Sequence, residues 1–246
     1  LDRSSAASDV YKRQIQSYGL SNIGPNRPNN EDIFFLLPKY KFFVLADGMG
    51  GHNAGEIAAS QAVSYLSSEI TNLFISKMSE WTSLELKEQM RTSLCKTNQW
   101  IYRLGAKNFP YKGMGTTICS LLFYGNFLIH SHVGDSRIYL FRDNTLTQLT
   151  RDHCWVSTNN KPSNVLTQAI GVKESVNPDI DIKQVHTGDF YLVCSDGLSD
   201  VLSNDVIKNI LNKSYSLTTT LHCLIQESLL RGGKDDITAI GVQITE

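Results

Sequence analysis

The sequence lacks an excess of either charge: its 246 residues carry 23 Lys+Arg against 24 Asp+Glu, a net charge of −1. No segment concentrates Lys and Arg, so the electrostatic footprint of a nucleic-acid binder is missing, and nucleic acid is not expected as a partner. Long apolar runs are missing too. Stretches such as Ile33 to Leu37 and Phe42 to Ala46 are only five residues long, far from the ~20 that span a bilayer, so no membrane partner is expected. Cysteines are few. Cys95, Cys119, Cys154, Cys194 and Cys223 are odd in number, widely spaced and never arranged as Cys-x-x-Cys. That pattern excludes a disulfide framework and a zinc ribbon, and fits reduced thiols in a cytoplasmic protein.

Several chemistries lose their support in the same way. There is no G-x-x-x-x-G-K-[ST], no H-E-x-x-H and no G-x-S-x-G, and Gly48-Met49-Gly50-Gly51 fails G-x-G-x-x-G because Asn53 stands at the third glycine position. A thiolate phosphatase needs an Arg soon after its Cys to hold phosphate oxygens. Asn160 and Leu229 occupy the sixth positions after Cys154 and Cys223, which disfavours cysteine catalysis.

What is present is a chain of 41% apolar residues, long enough to bury about 70–75% of its unfolded surface as one domain without a staple. Leu1 to Gln14 shows no apolar period and no signal-peptide pattern, and is set aside as a non-native or disordered leader, leaving residues 15–246 as one domain. Strands are expected at Ile33-Leu37, Lys41-Ala46, Thr116-Tyr124, Phe127-His132, Ser136-Arg142, Asp181-Val185, Phe190-Ser195 and Ile237-Thr245. Gly125-Asn126 and Asp143-Asn144 are hairpin turn signals. Helical periodicity runs from Ala58 to Leu73, from Leu86 to Leu104, from Ser203 (an N-cap) to Leu211 and from Leu217 to Leu230. Helix pairs that do not alternate with strands argue against a doubly wound parallel sheet and for an α+β sandwich.

The acids sit in unusual places. Glu31-Asp32 precedes the first apolar strand, Asp47-Gly48 and Asp196-Gly197 follow two others, and Asp135 and Asp235-Asp236 also abut strands. Asp-Gly after a strand ordinarily reads as a hairpin turn. Here each is followed by a helix, which weakens that reading. A carboxylate at a strand end, with a glycine that lets a carbonyl approach, suits a hard divalent cation, and oxygen donors without Cys or His favour Mg²⁺ or Mn²⁺ over zinc. Four carboxylates against two dications sum to about zero charge, so a phosphate dianion still needs a cationic partner. Arg27, four residues before Glu31, is the candidate, with a solvated surface arginine as the alternative.

Together these residues resemble the bacterial form of the PPM/PP2C family of metal-dependent serine/threonine protein phosphatases. The resemblance runs in order from Tyr18 to Ile244 through Arg27-x-x-Asn30-Glu31-Asp32, Ala46-Asp47-Gly48-Met49-Gly50-Gly51-His52, Gly55-Glu56, Gly113-Met114-Gly115-Thr116-Thr117, Val133-Gly134-Asp135-Ser136-Arg137, Leu149-Thr150-Arg151-Asp152-His153, Ser195-Asp196-Gly197-Leu198 and Gly232-Gly233-Lys234-Asp235-Asp236-Ile237-Thr238. It implies a four-layer αββα sandwich, with two central antiparallel sheets flanked by helix pairs and a metal cleft at one end. It implies that Asp47 bridges two metals, with Glu31 and the Gly48 carbonyl on one and Asp196 and Asp235 on the other. Asp32 would orient water, Arg27 would hold phosphate, and Asp135 with Asp196 would form a weaker third metal position.

The reaction so implied is direct hydrolysis of phosphoserine and phosphothreonine in proteins by a water shared between two Mg²⁺ or Mn²⁺ ions. A cognate serine/threonine kinase, a monomeric state and a cytoplasmic location go with it. An inactive binding module of the same fold and a two-metal hydrolase of another phosphate ester are the alternatives. Three departures from the family pattern stand out. Met49 replaces the His of eukaryotic members, leaving leaving-group protonation to water or to His52. Asp236 replaces the usual Asn. Only nine residues (STNNKPSNV) separate Val156 from Leu166, where relatives carry a longer flap.

Overall fold

The computed structural model describes residues 14–50, 54–76, 80–156, 162–213 and 215–246. Apolar runs bounded by turn residues become strands. β2 (Asp32–Leu37), β3 (Phe42–Met49), β5 (Ile118–Tyr124), β6 (Phe127–Val133) and β11 (Asp179–Gln184) form one sheet in the order β11-β6-β5-β3-β2, with the short β4 (Gly115–Thr116) paired to the end of β3. β1 (Gln14–Asn22), β13 (Ile237–Thr245), β12 (Phe190–Cys194), β7 (Arg137–Arg142) and β8 (Thr145–Gln148) form the second in that order. Every pairing is antiparallel. Gly125-Asn126 turns β5 into β6. Asp143 and Asn144, at φ of 48° and 56°, turn β7 into β8, the conformation that matches the twist of paired strands.

Strand alternation sorts the side chains into three cores. Phe43, Leu45, Leu121, Phe123, Tyr191, Val193, Ile240 and Val242 meet between the sheets. Phe123 and Tyr191 cross there edge to face at 5.4 Å. The opposite face of the first sheet packs on α1 (Ala54–Ser76) and α2 (Ser83–Lys107), where Ala58, Ala59 and Ala62 admit the helix closely and Leu86, Met90, Leu94 and Ile101 fill the space. α2 opens with a complete capping box between Thr82 and Glu85. The outer face of the second sheet packs on α4 (Asn204–Leu211) and α5 (Leu217–Leu230) through Leu192, Ile207, Leu221 and Leu224. The layers are therefore helix, sheet, sheet, helix, the four-layer αββα sandwich expected. No helix among the described residues is long and apolar enough to cross a membrane.

The structure corrects the strand list in four places. β1 is a nine-residue edge strand without a sequence signal, because pairing to β13 rather than burial of its own side chains holds it. Its first residue, Gln14, pairs with Thr245, although the sequence reading grouped Gln14 with the leader; the leader's other residues lie outside the described ones. β8 is half polar and was not expected. β9 (Cys154–Val156) pairs with β10 (Pro162–Leu166) as a separate two-stranded ribbon, where the reading placed only a short connection. Finally, β3 does not end at Ala46 but runs through Asp47 and Gly48 to Met49, paired with β4.

Candidate metal centre

Register brings the acids to one end of both sheets. Asp32 opens β2 and stands directly opposite Asp47 of β3. In the other sheet, Cys194 at the end of β12 is flanked by Arg137 of β7 and Ala239 of β13. The residues just beyond these positions, Asp196, Asp135 and Asp235-Asp236, therefore emerge at the same edge. Direct bonds join the two sheets here. The Ser195 hydroxyl donates to Asp32 Oδ2 at 2.7 Å and accepts the Thr238 amide at 3.0 Å. Asp236 Oδ1 accepts from the Gly24 amide and Oδ2 from the Glu31 amide, both at 2.8 Å. The carboxylate at position 236 thus holds two backbone segments at once, where an amide side chain has one acceptor oxygen to give.

Backbone contact shapes the Glu31 side of the centre. The Gly48 amide donates to the Glu31 carbonyl at 3.1 Å. A Cβ on Gly55 would lie 2.8 Å from Glu31 Cδ and 2.8 Å from the Gly48 carbonyl carbon, so only glycine lets the start of α1 press the Glu31 carboxyl against β3. Asp47 is fixed by its backbone: its amide donates to the Thr117 hydroxyl at 2.9 Å, and its carbonyl accepts from the Thr117 amide and the Thr116 hydroxyl, each at 2.8 Å. Arg137 holds the Asp135 loop by a forked pair to Asp152, with contacts of 2.7 to 3.1 Å, and by a bond to the Ser199 carbonyl in α3 (Asp196–Ser199).

The electrostatics are those of crowded anions. Burial, reinforced by repulsion from Asp32, Asp196, Asp135 and Asp235, raises the Asp47 carboxyl well above the carboxylate range. Burial pushes Asp32 and Asp196 up to about 7 each, and raises Glu31 and Asp135. Arg27 is the cation seen to reach these acids among the described residues: its guanidinium pairs with Asp235 and lies 4.0 Å from Glu31. Asp135 Oδ2 has the Cys154 thiol at 3.6 Å. Arg27, Glu31, Asp32, Asp47, Gly48, Asp135, Asp196 and Asp235, all singled out from sequence, lie at one edge of the sandwich. His52 lies outside the described residues.

The donor set fits hard divalent cations. Asp32 Oδ1 and Asp196 Oδ1 are buried with no hydrogen-bond partner among the described residues, a state that costs about 1–3 kcal/mol each unless something else satisfies it. Among the described residues the acids offer oxygen donors and outnumber Arg27, the arginine that pairs with them. Thiol chemistry, by contrast, is held off: burial raises Cys119 well above the usual thiol range and pushes Cys154 and Cys194 up to about 12. Sequence reasoning missed the supporting residues Ser195, Thr117, Gly55 and Asp236 as fasteners. Each lies inside a recognised motif, but its bonding partner is remote in the chain.

Comparison with known proteins agrees with this geometry. The protein phosphatase 2C family model matches residues 18–230. A putative protein phosphatase 2C-type protein of Streptococcus pyogenes is 34% identical over 89% of this chain and 93% of its own. Among solved structures, the serine/threonine phosphatase of S. agalactiae superposes with a TM-score of 0.84 at 34% identity, covering 95% of this chain and 100% of that one. The catalytic domain of the serine/threonine protein phosphatase PstP, solved with 2 manganese ions, gives 0.80 at 31% identity over 95% and 100% of the two chains. The crowded acidic edge, the four layers and these likenesses coincide, and the chain belongs to the protein phosphatase 2C family.

Proposed function

We propose that this chain hydrolyses phosphoserine and phosphothreonine in proteins, with divalent cations held at the acidic edge of the sandwich. The observation that carries the reading is the crowding of Asp32, Asp196, Asp135 and Asp235 about the buried Asp47, with Asp32 Oδ1 and Asp196 Oδ1 buried without a hydrogen-bond partner among the described residues. Bound there, Mg²⁺ or Mn²⁺ supplies the acidity that lets a water attack phosphorus at neutral pH. Asp47, Glu31, the Gly48 carbonyl, Asp196 and Asp235 would hold two such cations, and Asp135 with Asp196 would hold a third more weakly.

The chain's own groups do the rest. Asp32, held through Oδ2 by the Ser195 hydroxyl, turns its free Oδ1 to orient the attacking water. Arg27 trades its pairing with Asp235 for two phosphate oxygens, a fork that also stabilises the charge developing in the transition state. No side-chain nucleophile takes part, in keeping with the raised thiols. The same reading extends to a single catalytic domain that takes in β1 to β13, a monomer in the cytoplasm, and a cognate serine/threonine kinase whose phosphorylation it reverses.

The test is phosphate release from a phosphothreonine peptide in Mn²⁺ and in EDTA, with Asp47→Ala alongside. Release that requires the cation and Asp47 is expected. Turnover in EDTA, or in the variant, overturns the reading; no turnover of any ester points to a binding module, and turnover of diesters alone to another hydrolase.

A further inference from the structure

The outer strands of the two large sheets differ in what they present. β11 is studded with Asp179, Asp181 and Lys183, β8 is only four residues long, and β1 mixes Gln and Ser among its apolar residues. Charge and shortness are ordinary guards that keep a free strand edge from pairing with another chain. β2 has neither from Ile33 to Leu37, an uninterrupted apolar stretch that stops only at Pro38.

Register fixes which backbone groups of β2 are free. The Gly48 amide bonds to the Glu31 carbonyl, so the residues that exchange hydrogen bonds with β3 are the odd-numbered ones, Ile33, Phe35 and Leu37. The amides and carbonyls of Phe34 and Leu36 therefore point away from β3, where no strand stands beside them among the described residues. Side chains alternate over the same stretch. Phe34 and Leu36 pack toward the core between the sheets, and Ile33 and Leu37 toward the core under α1. Phe35 lies between the last two on the helix side and is 48% exposed. Beside it, a groove of about 470 Å³ runs between β2 and α1, lined by Ile33, Phe35 and Leu37 from the strand and Val63, Ser67 and Thr71 from the helix. No charged side chain among the described residues lines it. Ser67, 6% exposed, borders the groove with its Oγ lacking a hydrogen-bond partner among the described residues.

We propose that the free edge of β2 receives an extended segment of the phosphoprotein substrate as an added strand, with an apolar side chain at every second position. The outward amides and carbonyls of Phe34 and Leu36 call for a partner in strand conformation, which offers acceptors and donors at the matching spacing. Partner residues opposite Ile33, Phe35 and Leu37 turn their side chains toward α1, where the uncharged groove favours apolar ones. Continuity with the acidic edge identifies the partner as substrate. β2 opens at Asp32, directly after Glu31, and at about 3.4 Å per residue Phe34 lies about 10 Å along the chain from Glu31. A phosphoresidue roughly three positions beyond the paired stretch comes level with that edge. Substrate as the occupant rests on the phosphatase activity proposed above; the strand pairing itself does not.

Two phosphothreonine peptides assayed in Mn²⁺ provide the test. One carries Val at alternate positions of a short stretch beginning roughly three residues from the phosphothreonine, and the other carries Ser at those positions. The Val peptide should have a KM about tenfold lower. Methylating each backbone amide of the stretch in turn should erase that gain at every second position and spare it between, the signature of a strand bonded along one side. Phe35→Lys sets a charge at an exposed point of the edge; it should also erase the gain while turnover of p-nitrophenyl phosphate stays parental. The unphosphorylated Val peptide, followed by fluorescence polarisation, should bind the parent and not Phe35→Lys, whether or not any ester is cleaved. Equal KM for the two peptides, a methylation series without alternation, or no binding of the Val peptide overturns the docking strand. Binding without turnover of any ester overturns the phosphatase reading, and substrate as the occupant with it. A parent that is dimeric by light scattering, made monomeric by Phe35→Lys and indifferent to the peptides, gives the edge to a second copy of the chain and likewise overturns the proposal.

Discussion

Asp32 and Asp47 occupy directly opposed positions on neighbouring antiparallel strands, two acids where a sheet ordinarily avoids like charges. Burial of Asp47 compounds the conflict, and the remaining acids of the edge add to it. A fold keeps such an arrangement when a cation resolves it.

Without cations, stability should fall as pH rises from about 4 to 7. Burial raises Asp32 and Asp196 from the ordinary 3.8 to about 7, so the folded state holds their protons more tightly than the unfolded one. That contribution is complete below the unfolded value and disappears as pH climbs through the folded value. Urea melts of EDTA-treated protein at pH 5 and pH 7.5 should show the lower midpoint at pH 7.5, with Mn²⁺ restoring it. Equal midpoints in EDTA would remove the charge conflict from the account.

Asp47→Asn should separate stability from activity. It relieves the repulsion, so the metal-free variant should melt higher than the parent at pH 7.5. Phosphatase activity should drop by about 100-fold or more, the scale of losing a central electrostatic group. Calorimetry in EDTA, paired with steady-state rates in Mn²⁺, reads both effects.

Asp196→Ala should cost more rate than Asp135→Ala. Asp196 serves the core cations as well as the weaker position, whereas Asp135 serves only the latter in the reading proposed here. Equal losses in saturating Mn²⁺ would contradict that division.

Gly55→Ala should weaken Mn²⁺ binding by about tenfold or more without replacing any metal-facing side chain. The added methyl would collide with the Glu31 carboxyl carbon and the Gly48 backbone, each 2.8 Å from it, and Glu31 must move outward. Isothermal titration with Mn²⁺ measures the loss, and parental affinity would show that Glu31 has room to spare.

Arg27→Lys should raise KM for a phosphopeptide and lower kcat/KM by roughly 10-fold, because a point charge replaces a fork. Peptide titrations at fixed Mn²⁺ give the split. An unchanged kcat/KM would return Arg27 to the role of a surface residue.

Much of the architecture was legible from local chemistry. Runs such as Phe42 to Ala46 and Phe190 to Cys194 are too short for a helix and read as buried strands, and the helix from Leu217 to Leu230 is readable to the residue because its apolar positions recur at helical spacing. β1, β8 and the β9–β10 ribbon were not legible, since hydrogen-bonded neighbours rather than apolar content hold them, and a neighbour distant in the chain leaves no local mark.

The identities of the acids, their strand-end positions and the oxygen-only donor chemistry were determined by the sequence alone, because those follow from residue type and from what stands next to it. Their meeting was decided by tertiary structure. Ser195 reaches Asp32 across 163 positions of chain, and Asp236 clamps Gly24 across 212, because antiparallel register returns those strand ends to one edge of the sandwich. The place of β2 at the end of its sheet has the same origin. Residue type sets what a group can bind; which groups bind together depends on strand order and register, which are properties of the whole packed chain.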